Sequence, residues 1–141
     1  MEIIGKRTSK IKRIILAEDD ADDVDIFTDT LADITNDVKV EVFSDGQMLL
    51  EALENTTDFP DIVFLDLNMP VKNGFECLEE IKNTQRWNNV KVVILSTSSH
   101  PEQIKMAYDL GADLYLTKST SYTEFKNNLT NCLQLELTDL R

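Results

Sequence analysis

Four groups of polar residues in this 141-residue chain fall at or just beyond the ends of apolar runs. Glu18-Asp19-Asp20 follow RIILA, Asp66 closes the run IVFLD, Ser96-Thr97 follow VKVVIL, and Lys118 comes shortly after Leu114–Leu116. A carboxylate at the end of a buried strand, such as Asp66, is costly unless something neutralises or uses it. Several carboxylates within about 5 Å repel by some kcal/mol even at an effective dielectric of 20. A divalent cation relieves that repulsion. An oxygen-only donor set suits Mg²⁺ (or Mn²⁺), which keeps several waters and leaves a place for a phosphoryl oxygen. Lys118 adds a positive point charge and Ser96 a hydroxyl donor, so the combination can hold charge on a phosphoryl group.

These residues meet only if the apolar runs are neighbouring parallel strands. The chain alternates short apolar runs with helical patterns, which reads as βαβ units. Strands are predicted at Arg13–Ala17, Lys39–Phe43, Ile62–Asp66, Val90–Leu95 and Leu114–Leu116. The first helix, about Ala21–Ile34, places Val24, Phe27, Leu31 and Ile34 on one face, with acids in its first turn. The second starts at Ser44 as N-cap and carries Met48, Leu49, Leu50 and Leu53. The third, about Gly74–Asn83, buries Phe75, Leu78 and Ile81. The fourth opens at Pro101 and stops at Gly111. The fifth runs from about Ser121 with Tyr122, Phe125, Leu129 and Leu133 inward. In an open parallel sheet ligands bind beyond the carboxyl edges of the strands, where strand order reverses. With strands one and three adjacent, the acids after strand one face Asp66.

Composition agrees with one compact domain. Hydrophobic residues make up 42%, and three Pro and four Gly are too few for a disordered chain. No apolar stretch approaches the roughly 20 residues that span a bilayer, and the N-terminus has no signal-peptide core. A cytoplasmic protein without membrane association is expected, with Cys77 and Cys132 as reduced thiols. The net charge of −12 disfavours nucleic acid as a partner. The basic cluster Lys6, Arg7, Lys10, Lys12 and Arg13 reads as a solvated arm. His100, the single histidine, lacks an acid–base constellation around it.

The ordered set "AEDDADD", "DLNMPVKNG", "ILSTSS" and "AYDLGADLYLTKS" resembles the receiver domains of two-component response regulators. The first two motifs are most similar to stand-alone receivers that accompany bacterial phytochromes. The likeness covers residues 12–137, leaving 1–11 as a basic arm and 138–141 as a tail, with no output domain expected. It implies an α/β, flavodoxin-like, doubly wound (βα)5 three-layer sandwich whose parallel five-stranded sheet has the order 2-1-3-4-5.

The resemblance also implies roles. Asp66 is the phosphoacceptor for a sensor histidine kinase, a covalent carboxylate chemistry with ample precedent. Glu18 and Asp19 bind Mg²⁺ together with Asp66 and the backbone carbonyl of Asn68; Asp20 is the alternative if the frame is one residue off. Lys118 and Ser96 bind phosphoryl oxygens. Ser96 and Tyr115 form the switch, with Thr97 as the frame alternative to Ser96. Helix four, strand five and helix five offer a contact face for an unknown downstream protein or for a homodimer. Leu135, Leu137 and Leu140 add apolar area there or pack within the chain.

One departure stands out. Receivers carry Pro after the lysine, joined by a cis bond, whereas here Ser119 follows Lys118. A non-proline cis bond costs ~2.5–4 kcal/mol, so a trans bond is expected and the aim of the ammonium is open. A haloacid-dehalogenase phosphatase would need an acid at position 68, where Asn68 stands and has no acidic proton to give. An FMN protein would need a phosphate-cradling loop where this chain has repelling acids. A pseudo-receiver, which keeps the fold without taking phosphate, is disfavoured by the full set Glu18, Asp19, Asp66, Ser96 and Lys118.

Overall fold

The computed structural model describes residues 11–134. Five strands and five helices alternate: β1 (Arg13–Ala17), α1 (Ala21–Ile34), β2 (Lys39–Phe43), α2 (Gly46–Asn55), β3 (Ile62–Asp66), α3 (Gly74–Asn83), β4 (Lys91–Ser96), α4 (Pro101–Asp109), β5 (Leu114–Thr117) and α5 (Tyr122–Gln134). A short 3-10 turn, Gln85–Trp87, precedes β4. All neighbouring strands pair in parallel, in the order β2-β1-β3-β4-β5. This is the expected doubly wound arrangement, a helix–sheet–helix sandwich with β1 beside β3 where the winding reverses.

The pleat sorts side chains between two cores. Ile15, Ala17, Val63, Leu65, Val92 and Ile94 face the core shared with α2, α3 and α4. Ile14, Leu16, Ile62, Phe64, Val93 and Leu95 face the core shared with α1 and α5. Covering on both faces is why β3 is buried at every position, and why its sequence is continuously apolar rather than alternating. On the α1–α5 side, Phe27 of α1 packs edge-on against Phe64 with centroids 4.9 Å apart, and lies 6.4 Å from Phe125 of α5.

Several local expectations shift. Asp45, not Ser44, caps α2: its carboxylate accepts the Met48 N–H at 2.8 Å, and a carboxylate at this position is also favoured by the helix dipole. Met48 then lies on the solvent face of α2, while Leu49, Leu50 and Leu53 are buried. Tyr122 is also exposed, its hydroxyl donating to Asp33 of α1, and Cys132 fills the inner stripe of α5 with Phe125, Leu129 and Leu133. Phe75 is only half-buried; Cys77, beside Leu78 and Ile81, takes the inner face of α3. β4 starts one residue later than expected and includes Ser96; α4 ends at Asp109, with Gly111 beyond it at φ +107°. Arg13, assigned to the basic arm, is engaged: its side chain pairs with Glu41 at 3.2 Å and Asp58 at 3.4 Å. Lys6, Arg7, Lys10, Leu135, Leu137 and Leu140 lie outside the described residues.

Candidate phosphoryl-acceptor site

Glu18, Asp66 and Lys118 continue the columns Ile14/Leu16, Ile62/Phe64 and Leu114/Leu116, so alternation brings all three to the α1–α5 side of the sheet edge. Glu18 prolongs β1 by one bond, its N–H donating to the Phe43 carbonyl at 2.9 Å. Asp66 ends β3 opposite Leu95 of β4 and is only 5% exposed. The Lys118 N–H donates to the Ser96 carbonyl at 2.6 Å, which fixes the start of the loop after β5. Among the described residues no peptide bond is cis, so Lys118 and Ser119 are joined in trans as the energetics favour.

Carboxylate oxygens of Glu18, Asp19 and Asp66 all lie within 4.8 Å of one another. Glu18 and Asp66 are buried and Asp19 is exposed, so the trio opens to solvent on one side. The Lys118 ammonium donates to Glu18 Oε1 at 2.7 Å, Asp23 Oδ2 at 3.0 Å and Asp66 Oδ1 at 3.3 Å. One cation thus faces three carboxylates, with Asp19 adding a fourth acid nearby. Burial pushes the Glu18 carboxyl up to about 7, since the hydrogen bond from Lys118 only partly offsets desolvation and the Asp66 charge raises it further. Burial pulls the Lys118 pKa down, but hydrogen bonds to Glu18 and Asp23 and the charge of Asp66 more than reverse it. The ammonium therefore stays charged.

The donor set fits a hard divalent cation: three carboxylates, all oxygen, open on one side, with one acid destabilised in its ionised form. Asp20, the frame alternative, is engaged elsewhere. Its carboxylate caps α1 by accepting the Asp23 N–H at 3.1 Å, and its own N–H donates to Glu18 Oε2 at 3.3 Å. Asn68 is exposed on the loop after β3. That loop folds back tightly: the Gly74 N–H donates to the Leu67 carbonyl at 3.1 Å. A Cβ on Gly74 would stand 2.6 Å from the Asp66 carbonyl oxygen, so the close approach of α3 to the strand end requires glycine.

Ser96 is buried at the end of β4, and its Oγ accepts the Ser98 N–H at 3.0 Å. The Ser98 carbonyl in turn accepts from the Tyr115 hydroxyl at 2.8 Å, so the backbone of one residue links Ser96 to an inward-turned Tyr115. The Tyr115 N–H donates to the Tyr108 hydroxyl of α4 at 3.1 Å. Thr97 is exposed. Asp23 also reaches the site through Lys118, although in the sequence its place in the first turn of α1 is explained by the helix dipole alone. The available signal was its place three residues after the cap, where side chains point back toward the helix N-terminus and hence toward the strand edge.

Fold and site together define an acid-edged, doubly wound α/β domain with a carboxylate and an ammonium poised at its switch point. The chain belongs to the response regulator receiver domain family, which residues 14–130 match. It is 33% identical over 113 residues to the response regulator Rcp1 of Synechocystis, covering 77% of each chain. Among solved structures, it resembles the phosphorylated cyanobacterial phytochrome response regulator RcpA with a TM-score of 0.79 at 32% identity, covering 86% of this chain and 91% of that one. The Mn²⁺-bound form of Rcp1 gives a TM-score of 0.79 at 28% identity, covering 89% and 96%. The protein is thus a phosphoacceptor and signalling switch rather than a turnover enzyme, and its family implies a cognate histidine kinase as phosphodonor. No helix among the described residues is long and apolar enough to cross a membrane.

Proposed function

We propose that Asp66 accepts the phosphoryl group from a sensor histidine kinase, with Mg²⁺ (or Mn²⁺) held by Glu18, Asp19, Asp66 and the backbone carbonyl of Asn68. The observation that carries this reading is the Lys118 ammonium bonded to buried Asp66 beside the three-acid cluster. The cation, when bound, offsets the negative charge that gathers on the acids and phosphoryl oxygens. An Asp66 carboxylate oxygen attacks phosphorus; the P–N bond of the donor phosphohistidine breaks and its imidazole leaves as the new P–O bond forms. Lys118 and Ser96 receive the phosphoryl oxygens. Asp20 is left to cap α1.

Turning Ser96 Oγ toward a phosphoryl oxygen withdraws the acceptor of the Ser98 N–H, and the same residue holds Tyr115 through its carbonyl. Charge at Asp66 thereby reaches β5 and α4, a bistable element biased by one covalent event. Exposed Met106 and Tyr108 on α4 give the face of α4, β5 and α5 apolar surface for a downstream protein or an end-to-end homodimer. The receiver unit spans residues 12–137, and the protein works in the cytoplasm through protein contacts.

Incubation with a small phosphodonor and Mg²⁺, followed by intact mass, tests the assignment. One adduct of about 80 Da, the mass of a phosphoryl group, should appear and be lost in Asp66→Asn. An unchanged wild-type mass under saturating donor refutes it, and an adduct that survives in Asp66→Asn refutes the choice of residue.

A further inference from the structure

Lys118 reaches the site on a flexible four-carbon stem, so its aim depends on what receives its three N–H groups. The backbone adds no ring constraint, because half-buried Ser119 rather than proline follows it. Two of its three acceptors, Glu18 and Asp66, belong to the acid trio that fits a cation; Asp23 does not. A cation on the trio competes with the ammonium for Glu18 and Asp66, and leaves Asp23 as the acceptor that need not be shared.

Asp23 is also a fixed point. It sits in the first turn of α1, with its N–H held by the Asp20 cap at 3.1 Å. Phe27, four residues on and therefore on the same helix face, is buried against Phe64. Packing of that ring sets where Asp23 stands relative to the loop after β5.

We infer that Asp23 is a positioning residue, which keeps the Lys118 ammonium aimed at Asp66 when cation and phosphoryl group engage the lysine's other partners. This rests on the roles proposed above for Asp66 and Lys118. Asp23 touches neither the phosphoryl group nor the cation and acts only through the lysine.

Timed intact-mass measurement of phosphorylation by acetyl phosphate, at Mg²⁺ saturating for each variant, tests it. Asp23→Ala should slow the reaction roughly tenfold, as loss of one charge-assisted hydrogen bond to the lysine predicts. Asp23→Glu, which keeps the carboxylate, should recover most of the rate. In the Lys118→Ala background, Asp23→Ala should add less than about twofold, because the residue it serves is gone. In ¹⁵N-lysine spectra of the Mg²⁺-loaded protein, the Lys118 ammonium signal should be visible in the wild type and lost in Asp23→Ala, with circular dichroism unchanged. A wild-type rate for Asp23→Ala, a full tenfold loss on top of Lys118→Ala, or an unaltered ammonium signal each overturns the inference. If the wild type is phosphorylated and Lys118→Ala is slow while Asp23→Ala is unaffected, only the inference falls. A wild type that takes no phosphoryl group refutes the function as well.

Discussion

Glu18 should make the metal-free protein less stable as the solution becomes more alkaline, and Glu18→Gln should abolish that loss. Its carboxyl is raised from 4.5 to about 7, chiefly by burial, and its residue is only 3% exposed. A proton bound in the folded chain but not in the unfolded one favours folding, so this contribution is complete below pH 4.5 and is lost as pH rises through 7. The rise from 4.5 to about 7 amounts to about 3 kcal/mol over the whole range, most of it between pH 5 and 8. Urea unfolding of wild type and Glu18→Gln, in chelator, at half-unit steps across that window, isolates the effect. The difference between the two curves cancels the titrating groups that Glu18 does not touch, leaving Glu18 with its partners Asp66 and Lys118. Wild-type stability should fall relative to Glu18→Gln with a slope of about 1 kcal/mol per pH unit at mid-window, flattening above pH 7. Added Mg²⁺ should restore the wild type at pH 8 by replacing the missing proton with a stronger cation. Parallel pH profiles for the two proteins would refute the claim that burial controls Glu18. A parallel gain from Mg²⁺ in both would refute its place in the cation site.

Two further substitutions probe the loop beyond Asp66. Gly74→Ala places a Cβ 2.6 Å from the Asp66 carbonyl and 2.8 Å from Leu67 Cα, both backbone, so it should cost about 1–3 kcal/mol and slow adduct formation at Asp66; full stability and full rate would show that the close approach is unimportant. Val71 is 75% exposed yet holds φ at +67° in a tight turn closed by the Lys72 N–H on the Pro70 carbonyl at 2.7 Å. Positive φ at the centre of so tight a turn costs a β-branched residue about 1–2 kcal/mol that Gly does not pay, so Val71→Gly should hold or raise stability in urea unfolding despite its freer unfolded chain; a loss of about 1 kcal/mol would argue against strain there.

The parts legible in the sequence were those with a repeating signal. Ile62–Asp66 and Arg13–Ala17 are strands because an apolar run bounded by polar residues has one comfortable place, under helices on both faces. Those runs then carried Glu18, Asp66 and Lys118 to one edge, since residue parity along a strand decides the face. Caps and helix margins were less legible. Ser44 and Asp45 are both good caps, and choosing between them depends on where the chain leaves β2, which no local pattern records. Tyr122 fits the inner stripe of α5 by spacing, but its hydroxyl reaches Asp33 on a neighbouring helix, a contact 89 residues away in the chain. Asp23 shows the same limit at the site itself: its partner Lys118 is 95 residues distant and comes into reach only once α1 and β5 are packed.

The parity of the strands has a consequence for how this protein can vary. Glu18, Asp66 and Lys118 stand over the layer of α1 and α5, whereas Ile94, whose column on β4 continues to Ser96, and its β5 neighbour Tyr115 belong to the layer of α2, α3 and α4. On the roles proposed above, phosphoryl transfer and its readout fall on opposite sides of one sheet, joined at the Ser96–Ser98 segment. Substitutions confined to one side therefore leave the packing of the other largely as it was, because the sheet stands between the two layers. A seam of three residues is enough to keep the two in register.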